Sequence, residues 1–229
     1  MSNIDISVIV PVYNRDNYIA RCIRSLVNQS ISKSNYEIIV VDDNSSDNTA
    51  KVLMSFGKKI KYLKNTKNMG LPYSLNFGIK NSSGRFIVRV DSDDYVHSEY
   101  LNILSNHLKL NDDIDAVCCD YYTVDENDKQ LQKNSFIDNP IGCCIMFRVD
   151  QLINIGLYDP KIKFNEDLDL LIRFSKKYKI YNCPIPLYRY LKHKKNMSKN
   201  KKQMRIYKNK ILKKYKIWIV HLFKLGKLH

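Results

Sequence analysis

The chain has 229 residues, 44% of them hydrophobic and 27% charged, and its formal net charge is +15. This size and composition suit a single α/β domain with a sizeable core. All 23 acidic residues lie at or before Asp169, with 19 of the 38 basic ones, so the first 169 residues carry −4 and the last 60 carry +19. This split excludes a domain wrapped in positive potential and indicates a basic tail instead.

The start of the chain does not resemble a signal peptide, because it has no basic region and Pro11 and Arg15 interrupt the apolar stretch that follows. The run closest to a membrane span, residues 217–223, falls far short of the roughly 18 to 20 apolar residues required. We therefore expect a cytoplasmic protein, with peripheral attachment to the inner face of the cell membrane through the tail. The vicinal cysteine pairs 118–119 and 143–144 suit neither a zinc site nor easy disulfides, which predicts buried, reduced thiols.

The elements predicted in chain order alternate between strands and helices. Short apolar runs predict strands, and apolar residues at steps of three and four predict helices. The strands are expected at 6–12, 36–42, 60–63 and 85–90, and the helices at 19–27, from a cap at Ser45 or Ser46 to Phe56, and at 71–79. The alternation predicts right-handed crossovers and a mostly parallel sheet flanked by helices, whose ligands bind beyond the carboxyl ends of the strands.

Polar residues follow three of these strands, at 11–14, 42–47 and 91–94. Their carboxylates would crowd one rim of the sheet, so a cation or a hydrogen-bonding ligand is expected to compensate them. Capping and turn formation explain Asp47 well and are an alternative for Asp43. Asp91 and Asp93 form an Asp-x-Asp pair, which suits a hard cation such as Mn²⁺ or Mg²⁺ bridging to a diphosphate.

Further motifs accompany this pair. They are Pro11-Val12-Tyr13-Asn14; Val41-Asp42-Asp43-Asn44-Ser45-Ser46-Asp47-Asn48-Thr49; Asn68-Met69-Gly70 with Ser74, Asn76 and Gly78; Asp91-Ser92-Asp93-Asp94; Gly142 with Phe147-Arg148; Gly156-Leu157-Tyr158-Asp159; and Glu166-Asp167-Leu168-Asp169. In order and spacing, the segment from Ile6 to about Ser198 resembles the family 2 glycosyltransferases with the GT-A fold. Leu75 departs from the resemblance, since many family members have Arg there.

The resemblance implies a role for each matching residue. Tyr13 would stack on the base, Asp42 would accept a hydrogen bond from the base edge, and Asp91 would contact the ribose. Asp93 would be the metal ligand. The expected nucleotide-sugar site is completed by Pro11, Ser92, Asn68, Gly70 and His193.

The resemblance also implies that Asp167, next to Glu166 on the first turn of a helix, is the general base. Three alternatives stand beside these roles: Tyr13 as a buried aromatic, Asp167 as a helix cap, and the charges near His193 as solvated loop residues. Asp169 is expected to pair with Arg148 or Arg173.

The tail is predicted to be a basic amphipathic helix at 199–229, following a catalytic domain at 1–198. One face would carry Met204, Tyr207, Ile211, Tyr215, Trp218, Leu222 and Leu225. Such a helix fits an anionic membrane surface. Docking on the domain or on a second subunit of a homodimer is the alternative.

Together these features predict a metal-dependent, inverting transfer of sugar from a nucleoside diphosphate sugar, with UDP expected, to a glycan or lipid-linked acceptor hydroxyl. The resemblance places this in bacterial surface polysaccharide, lipopolysaccharide or lipid-linked glycan synthesis. A sugar-nucleotide nucleotidyltransferase is an alternative, but it should have a Gly-rich, Arg-containing loop after the first strand. A nucleic-acid-binding module is a second one, but the acidic rim would repel phosphates, so we expect no nucleic-acid partner.

Overall fold

A computed structural model describes residues 4–216. The strands are β1 Ile6–Val12, β2 Tyr36–Asp42, β3 Lys61–Lys64, β4 Phe86–Arg89, β5 Tyr95–Val96, β6 Ala116–Val124, β7 Gln130–Asn134, β8 Ile145–Arg148 and β9 Ile180–Leu191. The helices are α1 Ile19–Val27, α2 Thr49–Met54, α3 Leu71–Lys80, α4 Tyr100–Leu110, α5 Val149–Asn154, α6 Glu166–Ser175 and α7 Lys201–Tyr215. Three short 3₁₀ turns lie between them.

All nine strands belong to one sheet in the order β3-β2-β1-β4-β8-β6-β9-β5, with β7 paired to β6. The β3-β2-β1-β4 half is parallel, as the alternation of elements predicted. The other half is mixed: β8 runs antiparallel to both β4 and β6, whereas β6 and β9 are parallel. The architecture is a mixed α/β fold in which β4 joins the two halves.

The core lies on both faces of the sheet. All seven residues of β1 are buried, as expected of a central strand covered by helices on each side. Helix α1 turns one apolar face to the sheet through Ile19, Cys22, Ile23 and Leu26. At Pro11 the missing N–H is tolerated because pairing with β4 has already ended at Ile9.

The prediction that Ser45 or Ser46 caps the second helix is wrong. Helix α2 begins at Thr49 with Asn48 as its N-cap residue, and the Thr49 N–H donates to Oδ1 of Asp47 at 2.9 Å, so Asp47 satisfies a first-turn N–H from the position before the cap. The hydroxyl of Ser45 instead accepts the N–H of Asn14 at 2.9 Å. The serines therefore connect two loops and do not start a helix.

All six cysteines are buried and unpaired by disulfides, which confirms the prediction of reduced thiols. Within residues 4–216, no helix has both the length and the apolar character that crossing a bilayer requires.

Helix α7 packs against α6 and thus on the domain, one of the alternatives for the tail. Ile211 joins Ile162 and Ile172 in a small apolar cluster, with Tyr207 and Tyr215 beside it. The remaining positions of the predicted apolar face, Trp218, Leu222 and Leu225, lie outside the described residues. The boundary between a domain ending at 198 and a tail starting at 199 stays a prediction.

Candidate active site

The loops after β1 and β2 are hydrogen-bonded to each other at the predicted rim. Asn14 takes a left-handed conformation (φ 51°), and its Oδ1 accepts the N–H of Ser46 at 2.8 Å. Ser45 completes the link from the other loop through the Asn14 N–H. Next to this junction the Tyr13 side chain is 44% exposed, so Tyr13 is not the buried aromatic of the alternative interpretation. Its ring is available for stacking.

Asp42 lies at the end of β2 and is fully buried. Its Oδ1 accepts the N–H of Ser45 at 2.8 Å, and its Oδ2 accepts the hydroxyl of Tyr62 at 2.7 Å. Both oxygens therefore shape the loop around the expected nucleotide site. Contact of Asp42 with a base stays a prediction.

Asp43 fastens the loop that carries Asn68 and Gly70. Its carboxylate accepts the backbone N–H groups of Met69 at 2.7 Å and Gly70 at 2.8 Å, and the side-chain amide of Asn65 at 2.7 Å. Gly70 has φ +89°, and a Cβ built there would meet nothing within 4 Å. The glycine is thus required for its positive φ, which other residues rarely adopt. Asn68 is exposed on this loop.

The segment after β4 contains one fully buried carboxylate, Asp94, and two partly exposed ones, Asp91 and Asp93. Asp94 is buried, and it accepts the hydroxyl of Tyr188 at 2.8 Å and the N–H of Leu191 at 2.8 Å. Burial and the neighbouring charge of Asp93 raise the pKa of Asp94 well above its usual range. Ser92 is also buried. Asp94 therefore holds the segment to β9, while the other carboxylates face the rim.

Asp93, the expected metal ligand, lies next to His193, another residue expected at the nucleotide-sugar site. Nε2 of His193 lies 2.8 Å from Oδ2 of Asp93, and Nε of Arg15 lies 3.4 Å from the same oxygen. Burial raises the pKa of Asp93, but the hydrogen bond from His193 and the charge of Arg15 outweigh it and hold that pKa below its usual value. His193 is only 3% exposed, which contradicts the alternative of a solvated loop charge at this position.

Arg89, the last residue of β4, bridges the two acidic motifs. Its Nε and Nη2 donate to the two oxygens of Asp91 at 2.6 and 3.1 Å, and its Nη1 donates to Glu166 at 2.8 Å. The guanidinium and the Glu166 carboxylate are both buried. The structure therefore places the expected ribose contact, Asp91, and one member of the expected catalytic pair, Glu166, around a single cation.

Glu166 and Asp167 begin α6, as predicted, but neither is its N-cap residue. The N-cap is Asn165, whose backbone is left-handed. Burial, with the nearby charge of Asp167, raises the pKa of Glu166 to about 7 even though Arg89 opposes the shift. Burial also raises the pKa of Asp167. Two carboxyl groups with raised pKa values at one rim are typical of a catalytic site.

The two oxygens of Asp167 differ in their surroundings. Oδ1 accepts the N–H of Leu168, the next residue, at 2.8 Å, so this oxygen satisfies a first-turn N–H although Asp167 is not the N-cap. Oδ2 faces Gly142, where an added Cβ would lie 3.0 Å from it, 2.7 Å from the Asp167 Cβ and 2.9 Å from Nη1 of Arg89. Gly142 thus lets Asp167 and Arg89 approach each other.

Two sets of residues could hold a cation. Among residues 4–216, Asp91, Asp94 and Cys143 place one potential ligand atom each within 4.8 Å of one another. This set does not suit Mn²⁺ or Mg²⁺, because these hard cations prefer oxygen ligands and burial raises the pKa of the Cys143 thiol to about 11. Asp93 and His193 fit better, since a carboxylate oxygen and an imidazole nitrogen lie 2.8 Å apart and neither donor is a thiol.

Arg89, Gly142 and Tyr188 are among the residues of this site that received no role from the sequence. Arg89 had a detectable signal, since a charge inside an otherwise apolar strand needs a buried partner. For Gly142 and Tyr188 the neighbours come from distant segments, and no local pattern identifies them. Asp169 pairs with Arg173 at 2.9 Å, one of the two arginines predicted.

Fold and site together define an α/β domain with an acidic, partly buried rim at the carboxyl ends of its parallel strands, a class that includes enzymes using nucleotide substrates. The sequence model described as "Glycosyl transferase family 2" matches residues 7–218. The chain belongs to this family. Membership favours glycosyl transfer over the nucleotidyltransferase and nucleic-acid alternatives.

Related glycosyltransferases support the assignment. The chain is similar to an uncharacterized glycosyltransferase of Rickettsia prowazekii (strain Madrid E), with 31% identity over 194 residues, covering 77% of this chain and 60% of the relative. It is also similar to the poly(ribitol-phosphate) beta-glucosyltransferase of Bacillus spizizenii, with 43% identity over 110 residues, covering 46% of this chain and 17% of the relative. The chain therefore spans about 60% of the first relative's length and a much smaller share of the second.

Solved structures share the fold. S. aureus TarS 1-349 in complex with UDP-GlcNAc superposes with a TM-score of 0.76 at 23% identity, covering 91% of this chain and 67% of that one. The mannosyltransferase PcManGT from Pyrobaculum calidifontis, in complex with GDP-Man and Mn²⁺, gives 0.73 at 15% identity, covering 92% and 63%. These likenesses confirm the predicted GT-A fold.

Proposed function

We propose that this domain transfers a sugar from a UDP-sugar to an acceptor hydroxyl, with inversion at the anomeric carbon. The observation that carries the proposal is the Arg89 bridge. It holds the nucleotide-side carboxylate Asp91 and Glu166, the chain neighbour of Asp167, in one hydrogen-bonded group. When an acceptor attacks a nucleotide-bound sugar, the general base that takes the acceptor's proton has to lie next to the donor site.

Asp167 is the proposed general base, acting through Oδ2, since Oδ1 is engaged by the Leu168 N–H. Oδ2 takes the proton of the acceptor hydroxyl while the acceptor oxygen bonds to the anomeric carbon. The bond from that carbon to the diphosphate oxygen breaks, and the diphosphate leaves with the electron pair. Burial makes Asp167 a stronger base than a solvated aspartate because it raises the pKa of the carboxyl.

On the donor side, Tyr13 would stack on the base and Asp91 would contact the ribose. Asp93 and His193 would hold a divalent cation, which stabilises the negative charge of the leaving diphosphate. Support for a nucleotide-sugar donor and Mn²⁺ comes from the two superposed proteins, one bound to UDP-GlcNAc and the other to GDP-Man with Mn²⁺.

The proposed setting is the synthesis of a surface polysaccharide or teichoic acid. It is supported by the relative that acts on poly(ribitol-phosphate). The acceptor would then be a glycan or a lipid-linked chain.

Attachment to an anionic membrane through the tail belongs to the same proposal. In the structure, α7 turns its apolar face to α6, and it exposes Lys201, Lys202, Arg205, Lys208 and Lys213. Each basic residue close to anionic lipid would contribute about 1 kcal/mol. Sedimentation with vesicles rich in phosphatidylglycerol at low salt tests it, and no binding there contradicts the attachment.

The base assignment is tested by the release of UDP from a panel of UDP-sugars with water as the acceptor, so that the natural acceptor is not needed. We expect Asp167→Asn to lower the rate by roughly 10² to 10⁴, as for loss of a general base, while donor Kd stays within about twofold. Asp150→Asn is the matched control, because Asp150 is the second residue of α5 as Asp167 is of α6, and it is exposed.

Two results would contradict the assignment. An unchanged rate for Asp167→Asn places the base elsewhere. Lost donor binding in a folded Asp167→Asn protein places this carboxylate on the nucleotide side.

A further inference from the structure

Helix α7 contacts the segment that carries the proposed base. Its closest polar contacts meet at Asp169, which is fully buried and lies two residues after Asp167. One Asp169 oxygen accepts Nζ of Lys214 at 2.9 Å and the hydroxyl of Tyr215 at 2.8 Å, and the other accepts Arg173 at 2.9 Å. Two of these three donors come from α7, about 45 residues further along the chain.

A second contact lies on the other side of Asp167. The side-chain amide of Asn165, the left-handed residue that starts α6, donates to the backbone carbonyl of Met204 in α7 at 2.8 Å. The Asp167 backbone is therefore held on both sides, two residues before and two residues after, by groups of the same helix.

Apolar and ionic contacts extend this attachment. Ile211 of α7 packs with Ile162 and Ile172, which lie before and within α6. Nζ of Lys214 also reaches Asp159 at 3.2 Å. Removal of either Lys214 or Tyr215 would leave the buried Asp169 carboxylate with fewer donors, which costs more than loss of a surface ion pair.

We propose that α7 positions the base, with Lys214 and Tyr215 as positioning residues that act through Asp169 and hold Asp167 at the angle needed for proton transfer. This rests on the proposed role of Asp167. A displacement of even 1 Å at a reacting group lowers rates strongly, so the contacts need not touch substrate to matter.

The test compares four variants of the full chain in UDP release from UDP-sugars. Lys214→Met and Tyr215→Phe should each lower kcat roughly 10-fold or more, with donor Kd changed less than about twofold. Lys214→Arg retains the charge and should restore most of the rate. Lys213→Met is the matched control, since Lys213 is the exposed neighbour in the same helix, and its kcat should equal that of the wild type.

A double-variant comparison separates positioning through the base from a general loss of structure. In an Asp167→Asn background, Lys214→Met should lower kcat no further, because the group that it positions is already gone. Hydrogen exchange of the first-turn amides of α6 should be faster in Lys214→Met than in Lys213→Met.

The proposal is overturned if Lys214→Met and Lys213→Met have the same kcat, or if the two losses multiply in the double variant. A normal rate for Asp167→Asn with a low rate for Lys214→Met would refute the base assignment instead. The two failures are therefore distinguishable.

Discussion

Replacing Arg89 by Met removes the cation that serves both acidic motifs while keeping a long apolar side chain. Glu166 then remains buried without its partner, and Asp91 loses two hydrogen bonds. Breaking a buried ion pair by removing one member typically costs about 3–5 kcal/mol, whereas a more exposed pair costs up to about 1 kcal/mol. We expect Arg89→Met to lower the free energy of unfolding by about 3 kcal/mol at pH 8.

The loss should depend on pH because Glu166 can avoid its unpaired charge by binding a proton. In the native protein its pKa is about 7, above the ordinary 4.5, so the stability that it contributes is complete at low pH and is lost as pH rises through 7. Without Arg89 the pKa rises further, so at pH 8 the variant retains a proton that the wild type has released. Each pH unit over which the variant holds one more proton than the wild type changes the difference in their unfolding free energies by about 1.4 kcal/mol. The loss should therefore be about 1 kcal/mol smaller at pH 6 than at pH 8.

Urea unfolding at both pH values measures these differences. Arg85→Met is the control, since Arg85 is 57% exposed and pairs with Asp5 at the surface, so it should lose under about 1 kcal/mol at either pH. In a Glu166→Gln background, Arg89→Met should cost the same at pH 6 and pH 8, because neither protein of that pair can titrate at position 166. A loss below about 1 kcal/mol for Arg89→Met at pH 8, or equal losses at pH 6 and pH 8, would refute the reasoning.

Three further outcomes are expected. Gly142→Ala should lower kcat at least about 10-fold with little change in donor Kd, because its Cβ would lie 2.7 Å from that of Asp167; equal kinetics would mean that the pair can shift freely. Tyr62→Phe removes the 2.7 Å hydrogen bond to buried Asp42 and should cost roughly 1.5–3 kcal/mol in urea unfolding, a loss absent if water replaces the hydroxyl. Asp93→Asn should weaken UDP binding in Mn²⁺ but not in EDTA when measured by calorimetry, and identical affinities in Mn²⁺ would contradict its role as a metal ligand.

The parallel half of the sheet could be predicted from local patterns. Continuous apolar runs such as Ile6–Val12 identify strands buried on both faces, and the positive φ of Gly70 follows from its place in a tight loop. The mixed half could not, because β9 alternates irregularly between buried and exposed positions and pairs with β6 across some 60 residues. Such a pairing is decided by the packing of the whole domain and not by periodicity.

The candidate site, like the sheet, has a part that local sequence patterns predict and a part that depends on contacts between distant segments. Asp93, Glu166 and Asp167 were identified by motif, since each belongs to a short segment with a recognisable order. The contact of Arg89 with Glu166, by contrast, joins residues 77 positions apart, and no local pattern in the sequence predicts it. The raised pKa of Glu166 has the same origin, because burial is a property of the folded domain.

The reactivity of the six buried cysteines with a thiol reagent can report where the protein opens. Each is at most 2% exposed, so a thiol reagent should label the native protein only when a segment opens. Cys22 lies in α1 beside the parallel half, whereas Cys118 and Cys183 lie in β6 and β9 of the mixed half. The order in which these thiols are labelled would therefore reveal whether the two halves of the sheet open together or one at a time.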